Sequence, residues 1–253
     1  MNWIGLWTLL RKEILRFWKV LLQTVAAPIL TALLYLLVFA QALEGRVEVY
    51  PGVAYTAFLI PGLAMMSILQ NAFANSSSSL IQSKITGNIA FILIAPLSHL
   101  EFLLAYLLAA ALRGLLVGVG VLAAGFWVAD LPLAHPLWVL VWACIASLAF
   151  AAIGVIAGIW ADKFDHLSGV QNFIILPLTF LSGVFYSIHS LPPFWLALSQ
   201  ANPVFYMIDG FRYGFFAQAD VSPWLGLAVA LPFTLILCGV AMQLIMRGYK
   251  LRH

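Results

Sequence analysis

The chain has 253 residues, of which 64% are hydrophobic and only 8% are charged. A soluble domain carries about 25% charged residues, so this composition excludes an ordinary water-soluble protein and predicts a multi-pass membrane protein. The formal net charge of +3 is small, and we expect no nucleic-acid partner.

The first 19 residues predict an amphipathic helix. Trp3, Trp7, Leu10, Ile14 and Phe17 recur every three or four residues, which places them on one helical face. Basic residues occupy the other side, a pattern typical of helices that lie in the membrane interface. A basic flank on the cytoplasmic side of the first span would give the same pattern.

Six apolar segments are long enough to cross a bilayer, because about 20 helical residues span its hydrocarbon core. They lie at about 20–42, 54–77, 102–128, 137–160, 168–186 and 224–246. Six spans put both termini on one side of the membrane. Placing the termini in the cytoplasm leaves only Arg46 and Arg212 outside and Arg113 in the membrane, with the other basic residues, Arg252 included, inside. This distribution follows the positive-inside rule.

The connection after the second predicted span combines a polar stretch with a short apolar helix. Asn75 and the serines at 76–79 are expected to let the second helix emerge into water, and 84–88 to form a polar turn. A hydrophobic half-helix is predicted at 89–95, closed by Pro96. Because a short exposed apolar helix needs a cover, it either lies back on the lipid and bundle or inserts into a partner protein.

Arg113 lies near the middle of the third predicted span. A central arginine costs about 2.5–3.5 kcal/mol and should face the bundle interior or water. No acidic residue occupies a matching depth in another span, so its expected partners are backbone carbonyls, serines or asparagines such as Asn71. Its role is either functional, in gating or in attracting an anionic group of a substrate, or that of a structural tie.

Two pairs of small residues, Gly114-x-x-x-Gly118 and Gly154-x-x-x-Gly158, predict close helix packing. A face between two copies of the chain is the alternative.

Residues 177–212 are expected to organise the rest of the chain. The apolar run ends near Tyr186, and helices too short to span a bilayer follow at 191–200 and 204–218. The first can begin at Pro192, and the second has Asn202 as its N-cap. Their many aromatic rings suit a segment that dips into one membrane face with its backbone hydrogen bonds satisfied as helix.

Asp209 and Arg212 lie three residues apart in the second of these helices. They share one helical face and could pair. An exposed ion pair of this kind contributes at most about 1 kcal/mol.

Several chemistries are missing from the sequence. It holds no G-x-x-x-x-G-K-[ST] phosphate-binding loop and no cluster with metal-ligand spacing, so we expect no ATPase site, metal or cofactor in this chain. Cys144 and Cys238 lie in apolar runs and are expected to be packing residues. Ser182 with His189 is the only candidate for an intramembrane serine protease, and Leu181 stands where that chemistry expects a small residue.

Five stretches carry a resemblance to a known family. They are FLIPGLAMM at 58–66, RGLLVG at 113–118, PLTFLSGVFY at 177–186, LPPFW at 191–195, and Asn202-Pro203 through Asp209 to Arg212. With them the chain resembles the membrane (permease) subunits of ABC exporters of the type-2 class, in particular the YadH-like branch. It is also similar to permeases that export lipo-oligosaccharide signals and surface polysaccharides.

The resemblance implies an all-α membrane protein in the bacterial cytoplasmic (inner) membrane, with an interfacial helix at 1–19 and a transmembrane domain over 20–253. It implies six spans, a cytoplasmic coupling helix between the second and third, and re-entrant periplasmic helices between the fifth and sixth. Two permeases, most simply a homodimer, would each dock a separate nucleotide-binding ATPase subunit that binds ATP and Mg²⁺.

The resemblance also assigns residues. The ATPase-coupling segment maps to Lys84, Gly87, Asn88, Ile89, Phe91 and Pro96. The residues themselves, and the hypothesis that the re-entrant helices form the outer gate, give the candidates for the pathway or gate: Arg113, Phe185, Tyr186, Phe205, Tyr206, Asp209 and Arg212. This chain departs from its relatives at Ile89-Ala90-Phe91, where they often carry acidic residues. The resemblance therefore implies the location of the ATPase contact but not its polarity. A secondary transporter acting without an ATPase, or a membrane scaffold protein, are the alternatives.

Overall fold

The computed structural model describes residues 2–43 and 49–251, and these form helices and turns without any β-strand. The α-helices are α1 (Trp3–Trp18), α2 (Leu21–Leu43), α3 (Tyr55–Ile85), α4 (Asn88–Ile94), α5 (His99–Phe126), α6 (Pro136–Trp160), α7 (Phe164–Val170), α8 (Leu176–Phe180), α9 (Pro193–Gln200), α10 (Pro203–Phe216) and α11 (Pro223–Arg247). Arg46 and Arg252, to which the charge pattern assigns opposite sides, lie outside the described residues.

Five described helices are long and apolar enough to cross a membrane: α2, α3, α5, α6 and α11. They correspond to five of the six predicted spans. The remaining one, at 168–186, falls on an interrupted helix in which a π-helical turn, Gln171–Ile175, joins α7 to α8. The protein is therefore an all-helical membrane protein with five continuous candidate spans in the described residues.

Helix α3 is the centre of the bundle and is almost completely buried by α5, α6 and α10. The two glycine pairs make this possible. A Cβ atom at Gly114 would lie 2.9 Å from the carbonyl oxygen of Ile68, and one at Gly154 would lie 2.5 Å from that of Phe73. The prediction of close packing is confirmed for both pairs, and both pack within the chain against α3.

The expectation that Asn75 and the following serines bring α3 into water is wrong. The helix continues to Ile85, and Asn75, Ser76, Ser77 and Ser79 are buried. Hydroxyl groups can be satisfied inside a bundle by backbone carbonyls. Ser76 donates to the carbonyl oxygen of Ala151 in α6 at 2.8 Å, and Ser77 donates to that of Phe73, also at 2.8 Å.

Helix α1 is present where the periodicity predicts it, but its apolar face is only partly buried. Leu6, Leu9 and Phe17 are buried against the bundle, whereas Trp3 and Trp7 are exposed. The exposed tryptophans are therefore free to contact a surrounding lipid phase, while the buried residues of α1 pack on α3 and α5.

Candidate functional site

The short helix α4 lies between the end of α3 and the beginning of α5. Gly87 has a φ of +73°, a left-handed conformation that lets the chain reverse sharply after α3. Ser98 begins α5 with a reciprocal capping box to Glu101. Helix α4 is thereby fixed at both ends to helices that are long enough to span a membrane.

Helix α4 leaves an apolar face uncovered. Ile89 points into the bundle and is only 8% exposed, whereas Phe91 is 75% and Ile94 is 82% exposed. Gly87, Asn88 and Pro96 are exposed as well. The predicted apolar surface is therefore formed by Phe91 and Ile94, and Ile89 serves to attach it.

Lys84 connects α3 to the end of α6 instead of lying on this apolar face. Its ammonium group donates to the carbonyl oxygens of Ile159 at 2.8 Å and Ala161 at 2.6 Å, where the helix dipole favours a cation. Asp162 lies 3.8 Å from Lys84 and 2.6 Å from Lys250. The hydrogen bond from Lys250 lowers the pKa of the Asp162 carboxyl.

The first residues of α1 adjoin the same segment. Asn2 donates through its side chain to the carbonyl oxygen of Pro96 at 3.2 Å, and its backbone N–H donates to Glu101. An open, mostly apolar groove of about 440 Å³ runs between α1 and α4. The first residues of α1 are therefore in direct contact with the residue after α4 and with the first turn of α5.

Arg113 has the kind of partners that the sequence predicts. Its guanidinium donates to Asn71 Oδ1 at 3.3 Å and to Asn75 Oδ1 at 3.4 Å. The Asn75 oxygen also accepts from Arg16 of α1 at 2.8 Å, so one amide oxygen bridges two arginines. Arg16 in turn binds Glu13, a fully buried carboxylate that also accepts from Ser79.

A second polar group is assembled at the opposite end of α3. Arg212 is 1% exposed, its guanidinium lies 3.7 Å above the ring of Phe58, and it donates to the carbonyl oxygen of Gly183 at 2.9 Å. A Cβ atom at Gly62 would lie 2.8 Å from the carbonyl oxygen of Val184. This glycine therefore allows the loop after α8 to lie directly on α3.

Asp209 is buried beside Arg212, but the two side chains do not form an ion pair in the described structure. Asp209 accepts from the backbone N–H groups of Asp220 at 2.9 Å and Val221 at 3.0 Å, and Tyr50 donates to it at 3.3 Å. Asp220 accepts from Ser187 and from the backbone of Ile188. Asp209 and Arg212 therefore do not form the predicted ion pair at the surface. Arg212 holds the chain that precedes α9, and Asp209 holds the chain that follows α10.

The aromatic candidates occupy different environments. Phe205 is buried, and Phe185 packs on Phe39 of α2 and Phe180 of α8 with ring centroids 4.8 and 5.4 Å apart. Tyr186 donates to the carbonyl oxygen of Phe180, and Tyr206 donates to that of Gln200. The rings thus hold the segment between α8 and α10 together, and Phe185 also connects it to α2.

Ser182 and His189, the candidate pair for a serine protease, have separate hydrogen-bond partners. Ser182 accepts a hydrogen bond from Asn202 at 2.8 Å and donates to the carbonyl oxygen of Leu178, while His189 lies against the carbonyl oxygen of Asp220. No hydrogen bond joins Ser182 to His189 where the structure describes them.

Glu13, Gly62 and Asp220 are structural residues of these sites that sequence reasoning missed. For Glu13 a signal existed, because Arg16 lies one helical turn away. For Asp220 none existed, because its partners lie more than 30 residues earlier in the chain.

Replacing Arg212 by methionine is expected to destabilise the protein by about 1.5–3 kcal/mol, since buried carbonyl oxygens lose a charged donor. A thermal unfolding measurement would detect this as a lower Tm. Arg247→Met, which removes a cation from the exposed end of α11, is the matched control and should change stability by no more than about 0.5 kcal/mol. Equal stability of the two variants would contradict the anchoring role.

Comparison with known proteins decides the family. Residues 5–216 match the ABC-2 type transporter family. The chain belongs to this family. It is 36% identical over 250 residues to the inner membrane transport permease YadH of Escherichia coli K12. The alignment covers 99% of this chain and 98% of the relative.

More distant relatives are named nodulation protein J. The one from Rhizobium leguminosarum bv. viciae is 26% identical over 216 residues, with 84% of this chain and 81% of the relative covered. The one from Rhizobium meliloti is 26% identical over 217 residues, with coverages of 83% and 80%.

Family membership gives the apolar helices a context. The chain is a multi-pass inner membrane protein, and membership of the ABC-2 family implies the membrane subunit of an ABC transporter, partnered by a nucleotide-binding ATPase subunit.

Proposed function

We propose that this chain is the permease subunit of an ATP-driven exporter, in which a separate ATPase supplies the energy through α4. The observation that carries this proposal is the uncovered apolar face of Phe91 and Ile94, positioned between two membrane-crossing helices of an ABC-2 family protein. An apolar face of this kind is expected to be covered by a partner.

The topology that goes with this function has six spans, with the interrupted helix from α7 to α8 as the fifth. Both termini and α4 face the cytoplasm, α1 lies in the interface with its tryptophans towards lipid, and α9 and α10 form the re-entrant periplasmic helices. Support comes from the basic residues Lys84, Lys163 and Lys250 at the α4 end, and from the opposite position of the Asp209 and Arg212 anchors.

The contacts of α4 support a mechanism of coupling. ATP binding closes the partner subunits, and their movement passes through residues 84–96 to α3 and α5. Two copies of the permease enclose the pathway, which shifts between inward-facing and outward-facing populations because nucleotide has different affinities for the two states. The region of α9 and α10 serves as the outer gate, with Phe185, Tyr186, Phe205 and Tyr206 as its aromatic part and with ATP and Mg²⁺ bound only by the partner.

The proposed cargo contains lipid or sugar. Aromatic rings offer apolar faces that pack against such groups, and several are exposed in and around α9, including Phe194 and Trp195.

Isolation and reconstitution test the proposal. The full chain is co-expressed with a candidate soluble ATPase subunit, and the purified assembly is reconstituted into liposomes. We expect a complex with two copies of each subunit and transport that requires ATP. Uphill transport by the chain alone under an ion gradient would establish a secondary transporter, and a stable complex that moves nothing under any condition would establish a scaffold; either result overturns the proposal.

A further inference from the structure

Helix α3 is buried over most of its length but leaves one stripe open. Between residues 57 and 83 of this fully described helix, the residues that are not buried are spaced four apart: Gln70, Ala74, Ser78 and Gln82. Residues at this spacing lie on one helical face. The open stripe carries two amides and a hydroxyl and no large apolar side chain, and polar residues at membrane depth face the bundle interior or water instead of lipid.

Two cavities open along this stripe. One, of about 230 Å³, lies between α2 and α3, and it is lined by Gln70 and Ser67 of α3 and by Thr31 of α2. The other, of about 250 Å³, lies between α3 and the interrupted helix and is lined by Ala74 and Ser78. Because Ala74 follows Gln70 by one helical turn, the cavities occupy successive levels of the same face. Each is smaller than the about 300–1,000 Å³ of a drug-sized site, so each holds one small group.

The interrupted helix presents polar side chains to the second cavity. Ser168 of α7 and both Gln171 and Asn172 of the π-helical turn line it, across from Ser77 and Ser78 of α3. π-helical turns recur at functional sites, and this one places two consecutive amides on a cavity wall. Asn172 is exposed within a segment of span-like hydropathy, where a polar group is costly unless it is hydrogen-bonded.

The linings define the chemistry of the ligand. Among the described residues no charged side chain lines either cavity. Arg16 and Arg113, which approach α3 in this region, donate to asparagine oxygens of α3 instead. Ser77 and Ser168 donate to backbone carbonyl oxygens and so offer acceptor oxygens to the cavity, whereas the amides of the π-helical turn both donate and accept. A hydroxyl group meets both needs because it donates and accepts without carrying charge.

We propose that the open stripe of α3, with its two cavities, binds an uncharged polyhydroxylated group of the transported cargo. The chemistry of the ligand stands on the linings alone, and only its role as cargo rests on the proposed exporter function. A charged group is rejected, since it would lose its hydration without gaining a counter-ion. A second copy of the chain could cover the stripe instead, through hydrogen bonds between helices, and the experiment distinguishes this case.

Thiol labelling tests whether the stripe faces water. The full chain, with Cys144→Ala and Cys238→Ala, carries either Ala74→Cys on the stripe or Leu235→Cys on α11, which is 69% exposed. The protein is held in phosphatidylcholine nanodiscs and treated with a charged maleimide. Because the thiolate is the reactive form and apolar surroundings disfavour it, we expect labelling at least about tenfold faster for Ala74→Cys. Equal rates, or a disulfide between two copies of Ala74→Cys in place of labelling, overturn the proposal.

Protection from labelling tests the ligand. The probes are octyl maltoside and octyl sulfate below their micelle-forming concentrations, which share an alkyl chain and differ in the head group. We expect octyl maltoside to slow the labelling of Ala74→Cys and octyl sulfate to leave it unchanged. Adding Asn172→Leu should raise the half-protecting concentration of octyl maltoside about tenfold, because the amide hydrogen bonds are lost.

Protection by both probes alike, protection by neither, or unchanged protection in the Asn172→Leu variant overturns the proposal. Neither measurement requires an ATPase or transport. A failure here therefore leaves the exporter function standing, and ATP-dependent transport by the reconstituted assembly decides that function separately.

Discussion

Phe91→Asp is expected to abolish stimulation of the partner ATPase while leaving the permease folded. Phe91 is 75% exposed in the isolated chain, and the proposed contact with the ATPase would bury it. Losing an aromatic side chain from a contact costs about 1.5–3 kcal/mol, and an unpaired carboxylate in its place adds a desolvation penalty. The affinity of the two subunits should fall about 100-fold or more.

ATP hydrolysis measured against increasing permease concentration checks this result. Leu133→Asp is the matched control, because Leu133 is an exposed leucine in the loop between α5 and α6, at the other end of α5. Stimulation should be lost in Phe91→Asp and retained in Leu133→Asp. Undiminished stimulation by a folded Phe91→Asp protein would refute the coupling role of α4.

Ile89→Asp is not equivalent to Phe91→Asp, although the apolar pattern alone makes the two positions look alike. Ile89 is buried against the bundle, so a carboxylate there lowers the stability of the permease itself. A loss of stimulation in that variant would be ambiguous, and the exposed position gives the clean test.

Gly154→Val is expected to prevent accumulation of folded protein. The valine Cβ would lie 2.5 Å from the carbonyl oxygen of Phe73 and would also overlap Ser76 Oγ. Backbone on α3 cannot move aside, because α5 and α6 hold that helix on both sides. Overpacking of this kind costs about 1–3 kcal/mol and more where the backbone must shift.

Gly239→Ala provides the matched control for Gly154→Val. Gly239 lies in α11, and a Cβ atom there would meet no other atom within 4 Å. Alanine is favoured over glycine in a helix by about 0.5–1 kcal/mol, so this variant should be as stable as the unmodified chain or slightly more stable. Size-exclusion profiles and Tm values measure both variants, and wild-type behaviour of Gly154→Val would mean that α3 and α6 are not in close contact.

The main helices could be inferred from the residues because they depend on local properties, whereas the family was inferred from resemblance. Apolar length defines a span, and α2, α3, α5, α6 and α11 begin within a few residues of the predicted positions. The N-cap of α10 is another local property, since Asn202 accepts from the backbone of Val204 as expected. The interrupted helix of α7 and α8 shows the limit, because composition does not distinguish a π-helical turn from continuous helix.

What hydropathy and helix signals by themselves determined is a lipid-embedded helical protein, because these signals act between residues that are close in the chain; the permease assignment rests on the resemblance of five sequence stretches to a known family. Only the tertiary structure decided which polar groups are paired. Asn75 and the serines after it became buried donors and acceptors instead of a route into water, and Asp209 and Arg212 bound different backbone groups instead of each other. The reason is physical: in a low-dielectric bundle each polar group takes the nearest complementary atom, and packing of distant segments decides which atom that is.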